Sequence, residues 1–158
     1  MEDANIRQRV DALVVQNRSI LVCRTAQGFD YPGGGVDEGE SLIDAAVREC
    51  MEESGFRLIE PKLIALPKRY MAQVQGDPFL RDMGYTHEIY FSVCGRNGGF
   101  NDRLYDIEGD AGIYFYVPIK TLRENFEALR AYSRGNDRRA VMLAHRCDVL
   151  DALSRLLP

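Results

Sequence analysis

The chain has 158 residues, 46% of them hydrophobic and 28% charged, with a net charge of −4 at pH 7. A chain of this size buries a substantial core without disulfides, and it reads as a single domain over residues 1–158. The acidic balance argues against bulk attraction to nucleic acid or an anionic membrane, while a small phosphorylated ligand held through a divalent metal stays compatible with it.

Cys23, Cys50, Cys94 and Cys147 are widely spaced, with no C-x-x-C pair and no histidine cluster. Reduced thiols in a cytosolic protein are expected, not a zinc site or a redox dithiol. The first ten residues, MEDANIRQRV, lack the apolar core of a signal peptide. No run approaches the ~18 apolar residues needed to span a bilayer. The expectation is a cytoplasmic protein without a membrane segment.

In chain order, RVDALVVQ and ILVCRT flank the polar NRS and predict a β-hairpin. GFDYPGGGVDEGE is a loop, with Pro32 as a breaker followed by three glycines. A helix is predicted from near Ser41 to Ser54, with Gly55 suited to a left-handed C-terminal cap. Strand material follows, interrupted by Pro61 and Pro67. QGDPFLRDMGYT reads as a polar surface excursion, HEIYFSVCG as a strong strand, and RNGGFNDRLYDIEGD as a loop. AGIYFYVPI predicts a strand and KTLRENFEALRAY a helix. A terminal helix places Leu143, Cys147, Leu150 and Leu157 on one face. The order implies an α/β fold with a mixed sheet sandwiched by helices.

The helix after the glycines has two faces. Ile43, Ala46, Val47 and Cys50 recur at i, i+3, i+4 and i+7, a stripe for the core. Ala45, Glu49, Glu52 and Glu53 fall on another side, next to the glycine-rich turn. Three carboxylates at this spacing repel one another. A divalent ion would turn that repulsion into attraction, because carboxylate oxygens are hard ligands suited to Mg²⁺ or Mn²⁺. Arg48 is placed to pair with Glu52 at i+4 or to reach back to Glu40.

At these residues the sequence resembles the Nudix hydrolases, whose box is G-x5-E-x7-R-E-U-x-E-E-x-G-U with U apolar. Gly34, Glu40, Arg48, Glu49, Glu52, Glu53 and Gly55 fill the fixed positions, and Cys50 is a slight departure at an apolar one. The resemblance implies a Nudix-type α/β/α sandwich with a glycine loop–helix–loop metal site. It implies Glu49, Glu52, Glu53 and the Gly33 carbonyl as metal ligands, with Mg²⁺ as cofactor and Mn²⁺ as the alternative. Glu40 and Arg48 would brace the loop, and Gly34 and Gly55 would form the turns.

The activity so implied is hydrolysis, at the pyrophosphate, of a nucleoside diphosphate linked to another moiety such as a sugar or ribose. The alternatives are MutT-like hydrolysis of (deoxy)nucleoside triphosphates, or a Nudix module that binds a nucleotide without cleaving it. Glu49 or Glu53 would orient the attacking water. Outside the box the candidate bases are Glu88 and Asp110, with Glu108 and His87 behind them. Lys68 and Arg69 are available for substrate phosphates and Tyr70 for base stacking. The expected partner is a small nucleotide, with no DNA-binding domain. The apolar stripe of the last helix would serve a homodimer as readily as the protomer core.

Overall fold

The computed structural model describes residues 5–74, 76–101, 113–133 and 137–158. β1 (Ile6–Gln16) and β2 (Ser19–Thr25) form the predicted hairpin. It turns at Asn17, whose φ of 56° lies in the left-handed region that asparagine tolerates.

β1 is the middle of one mixed sheet. Along one edge it runs parallel to β7 (His87–Phe100), in unbroken register from Ile6↔His87 to Val15↔Arg96. Its other edge is shared. β2 pairs near Gln16, and β4 (Gly33–Gly35) pairs antiparallel with Arg9 to Asp11. β3 (Gly28–Asp30) and β8 (Tyr114–Pro118) extend the sheet from β2, while β5 (Phe56–Leu63) and β6 (Met71–Gln73) extend it from β7.

Two cores lie on opposite faces of this sheet. On one, α1 (Leu42–Ser54) packs Ala45, Ala46 and Cys50 against Val10, Ala12, Val14 and Leu21. On the other, α3 (Ile119–Arg130) and α4 (Asp137–Leu156) pack Leu122, Phe126, Leu143, Cys147 and Leu150 against Leu13, Ile20 and Val22. β1 therefore feeds alternate residues into both cores, which is why ALVV is a continuous apolar run. The result is the three-layer α/β/α arrangement. No helix among the described residues is long and apolar enough to cross a membrane.

Five local readings are corrected. GFDYPGGGVDEGE is not loop throughout, since Gly28–Asp30 and Gly33–Gly35 are the strands β3 and β4. Ala45 does not lie with the acids: it is fully buried with Ala46 in the α1 core. The stretch 96–100 is not loop but the far end of β7, paired with β5 through Leu58↔Asn97 and Phe56↔Phe100. The excursion at 75–86 contains a short helix, α2 (Pro78–Asp82), capped by the Asp77 side chain and burying Leu80. Pro61 does not break β5, because that strand is bulged between Ile59 and Lys62, with Glu60 at a φ of 53°. A bulge on an outer strand tolerates proline's missing N–H. In α4, Leu143, Cys147 and Leu150 share the buried face as predicted, and Leu157 packs against the same core from just beyond the helix.

Candidate active site

The site is built on the three-glycine strand β4. Val36 N–H donates to the Gln8 carbonyl and Ala12 N–H to the Pro32 carbonyl. With Gly34 opposite Val10, the antiparallel alternation turns the backbone groups of Gly33 and Gly35 away from β1, toward the free edge. Both find partners there: Gly33 N–H donates to Glu53 Oε2 at 3.2 Å, and Arg48 Nη2 donates to the Gly35 carbonyl at 3.1 Å. The glycines are required by close approach. A Cβ on Gly33 would lie 2.4 Å from the Val10 carbonyl oxygen, and one on Gly34 would lie 2.6 Å from Glu49 Oε1.

α1 brings the acids to this edge. Ser41 caps its N-terminus by accepting from Asp44 N–H, and Gly55 ends it with a φ of 75°. Arg48 lies at the hub. Its Nε and Nη2 donate to the two oxygens of Glu40 at 2.8 and 2.9 Å, and its Nη1 to Glu49 at 2.9 Å and Glu52 at 3.3 Å. Glu40 also accepts from Asp37 N–H at 3.1 Å, which ties the loop before the helix to the same guanidinium. The Arg48 hydrogen bonds hold the Glu40 carboxyl below the usual carboxylate range.

Glu53 is in a different state. Burial pushes its carboxyl up to about 7, against the downward pull of the Gly33 N–H, and the adjoining Glu49 carboxylate adds to the rise. Tyr114, on β8, donates its hydroxyl to Glu53 Oε2 at 3.4 Å.

The NUDIX domain family model matches residues 5–132, more than three quarters of the chain. The chain belongs to the NUDIX family. Solved structures with the same fold include a NUDIX hydrolase from Nitrosomonas europaea, 22% identical over 88% of each chain with a TM-score of 0.54. A MutT protein from Bacillus halodurans is 17% identical over 84% of each chain, TM-score 0.56. A structure described as an ADP compounds hydrolase is 16% identical over 94% of this chain and 75% of its own, TM-score 0.53. The family's enzymes are pyrophosphohydrolases, and this chain is one of them.

Nudix hydrolases generally need divalent metal ions. The donor chemistry of this Nudix box fits one. Glu49 and Glu53 offer hard oxygens side by side, and burial, with the Glu49 carboxylate adding to it, holds the Glu53 carboxyl up at about 7 and so partly protonated near neutral pH. A divalent ion would displace that proton. Among the described residues no three acidic, histidine or cysteine side chains already converge, since Glu52 is half-exposed and turned to Arg48.

The candidates outside the Nudix box are scattered. Glu88 is fully buried on β7, with one oxygen bonded to Arg7 Nη1 at 2.5 Å and the other to Arg138 Nε at 2.8 Å. Asp110 and Glu108 lie outside the described residues. Lys68, Arg69 and Tyr70 line a cavity of about 160 Å³ with Leu66, Tyr90 and His145, at the edge of the sheet against α4. The Tyr70 hydroxyl donates to Asp148, and Lys68 Nζ sits over the Tyr70 ring. None of the three bonds to a box residue. His87 Nδ1 is hydrogen-bonded with the Thr86 hydroxyl at the start of β7.

Two parts of the site carry no motif. Tyr114 reaches Glu53 from a strand that sequence reasoning valued only for its apolar pattern. Arg7 and Arg9 alternate on β1 beside the glycines; two cations at i and i+2, entering an apolar strand, were the available signal.

Proposed function

We propose that the chain hydrolyses the pyrophosphate link of a nucleoside diphosphate joined to a second moiety, a nucleotide sugar, ADP-ribose or a compound of that class. Water adds at one phosphorus, the bridging P–O bond breaks, and the products are a nucleoside monophosphate and the phosphorylated second moiety. The observation that carries the reading is the junction of Glu49, Glu53 and the free edge of β4 around Gly33.

Glu49, Glu52, Glu53 and the outward Gly33 carbonyl would hold Mg²⁺, with Mn²⁺ the alternative. Bound there, the ion supplies charge neutralisation at the phosphates and a more acidic water. Glu49 and Glu53 would orient the attacking water, and one of them would take its proton. Arg48, saturated by Glu40, Glu49, Glu52 and Gly35, fixes the loop against the helix and does not bind substrate. Glu88 has both oxygens on guanidinium groups and is assigned to positioning Arg7, not to proton removal.

The test is a phosphate-release screen with Mg²⁺ and Mn²⁺ over nucleotide sugars, ADP-ribose, dinucleoside polyphosphates and nucleoside triphosphates. Phosphatase added afterwards reveals monoester products. Metal-dependent release from one diphosphate-linked class, abolished in Glu52→Gln and Glu53→Gln, is the expected result. Inorganic pyrophosphate from triphosphates alone would replace it with the MutT-like reading, and nucleotide binding without turnover would replace it with a sensor.

A further inference from the structure

Among the described residues, five arginines surround the glycine strand and the adjoining end of β1, and four of them are spoken for. Arg48 is held by the box carboxylates. Arg146, buried, donates to both oxygens of Asp11 at 3.0 and 3.2 Å and to Asp30 at 2.6 Å. Arg138 bonds Glu88 and Asp77, and Arg7 bonds Glu88. The Arg9 side chain makes no hydrogen bond to any described residue, and its Nε is buried without a partner. Its one ion pair among the described residues is with Asp11, Nη2 lying 3.8 Å from Oδ1, and both Asp11 oxygens already receive Arg146.

The strand beside Arg9 is bare. Arg9 pairs in register with Gly35, and a Cβ on Gly35 would fall 2.8 Å from Arg7 Nη2. Any side chain at that position would therefore strike the Arg7 guanidinium. At the next position along the strand a Cβ on Gly34 would fall 2.6 Å from Glu49 Oε1, so the arginines and the acid edge lie on the two sides of one three-residue strand. One strand width, about 4.8 Å, separates β1 from β4. A planar guanidinium with unused donors matches two oxygens of a phosphate.

Resting on the hydrolase reading above, we propose that Arg9, with Arg7 fixed beside it by Glu88, binds a phosphate of the substrate from the β1 side of the glycine strand. The metal-binding carboxylates face the same pyrophosphate from the opposite side. The ligand class is a nucleoside diphosphate, whose two phosphates span from the acid edge to the arginines.

The experiment is calorimetric titration of the full chain in EDTA with ADP and with AMP. The parent is expected to prefer ADP. Arg9→Ala is expected to weaken ADP by about tenfold or more while changing AMP less, so that the preference narrows. Arg9→Lys should recover part of it, and Arg96→Ala, at an exposed pair with Glu60, should change nothing. If Arg9→Ala proves unfolded by circular dichroism, Arg9→Gln carries the same expectation.

A folded Arg9 variant that keeps the parent's ADP affinity and preference overturns the proposal, as does a parent that takes up no ADP without metal. Both results are independent of turnover. A parent that cleaves nothing, but loses ADP with Arg9, removes the hydrolase reading and supports the phosphate site.

Discussion

Arg48 and Glu40 meet through two parallel N–H···O bonds across eight residues of sequence, Nε to Oε2 at 2.8 Å and Nη2 to Oε1 at 2.9 Å. The pair is mostly shielded, with Arg48 27% and Glu40 16% exposed. It is what couples the loop to the helix, because the same guanidinium also bonds the Gly35 carbonyl and Glu49. Lysine cannot reproduce the fork. Arg48→Lys should cost about 1–2 kcal/mol in urea unfolding and about 10–100-fold in turnover. Unchanged turnover would show that the brace is not needed for the site.

Gly33 and Gly34 should fail in different ways. Alanine at 33 meets the Val10 backbone, so it must disrupt the β1–β4 pairing and lower the thermal midpoint. Alanine at 34 meets the Glu49 carboxylate, the end of a flexible side chain, so the fold yields more easily. Gly34→Ala should therefore keep most of the thermal stability and weaken Mn²⁺ binding by about tenfold or more, measured by titration. Equal thermal losses in the two variants would contradict this division.

Tyr114→Phe tests the hydroxyl that donates to Glu53. Removing it keeps the ring's packing in the α1 core. The expected change is a loss of Mn²⁺ affinity on the order of several-fold, without a shift in the thermal midpoint of more than a few degrees. An affinity identical to the parent's would restrict Tyr114 to packing.

Glu88 should control acid stability. Burial alone would raise its carboxyl, but Arg138 and Arg7 outweigh that and hold it below the ordinary carboxylate range. Its folded value is thus depressed. The stabilisation is present above the unfolded carboxylate value of about 4.3 and is lost as pH falls through the folded one. Glu88→Gln should destabilise by about 3 kcal/mol at pH 7 and by much less near pH 3. Denaturant unfolding at the two pH values checks the sign.

What the sequence disclosed follows from how local each determinant is. The box was legible because Gly34, Glu40, Arg48, Glu49, Glu52, Glu53 and Gly55 lie within one short strand–loop–helix segment, where spacing alone sets most of the geometry. The end of β7 was not. RNGGF has turn composition, yet it is paired with β5, which comes so close that a Cβ on Gly98 would lie 2.5 Å from Ile59 Cγ2. Gly98 marks close approach of a neighbouring strand, not a turn. α2 was announced by Asp77-Pro78, a cap followed by proline in the first turn, but five residues give too little periodicity to read. Tyr114 reaches Glu53, and Arg9 is set opposite Gly35, only through pairing between separate strands, which no local pattern encodes.

The parallel seam between β1 and β7 joins residues 81 positions apart, from Ile6↔His87 onward. Loop closure over that distance delays the middle of the sheet, while the β1–β2 hairpin, the glycine strand and α1 draw only on the first 55 residues. During synthesis, the chain that will carry the box therefore leaves the ribosome well before the strand that seals its far side. One long edge of β1 stays open for that interval, so the nascent protein is most prone to wrong pairing while its chemistry is already written.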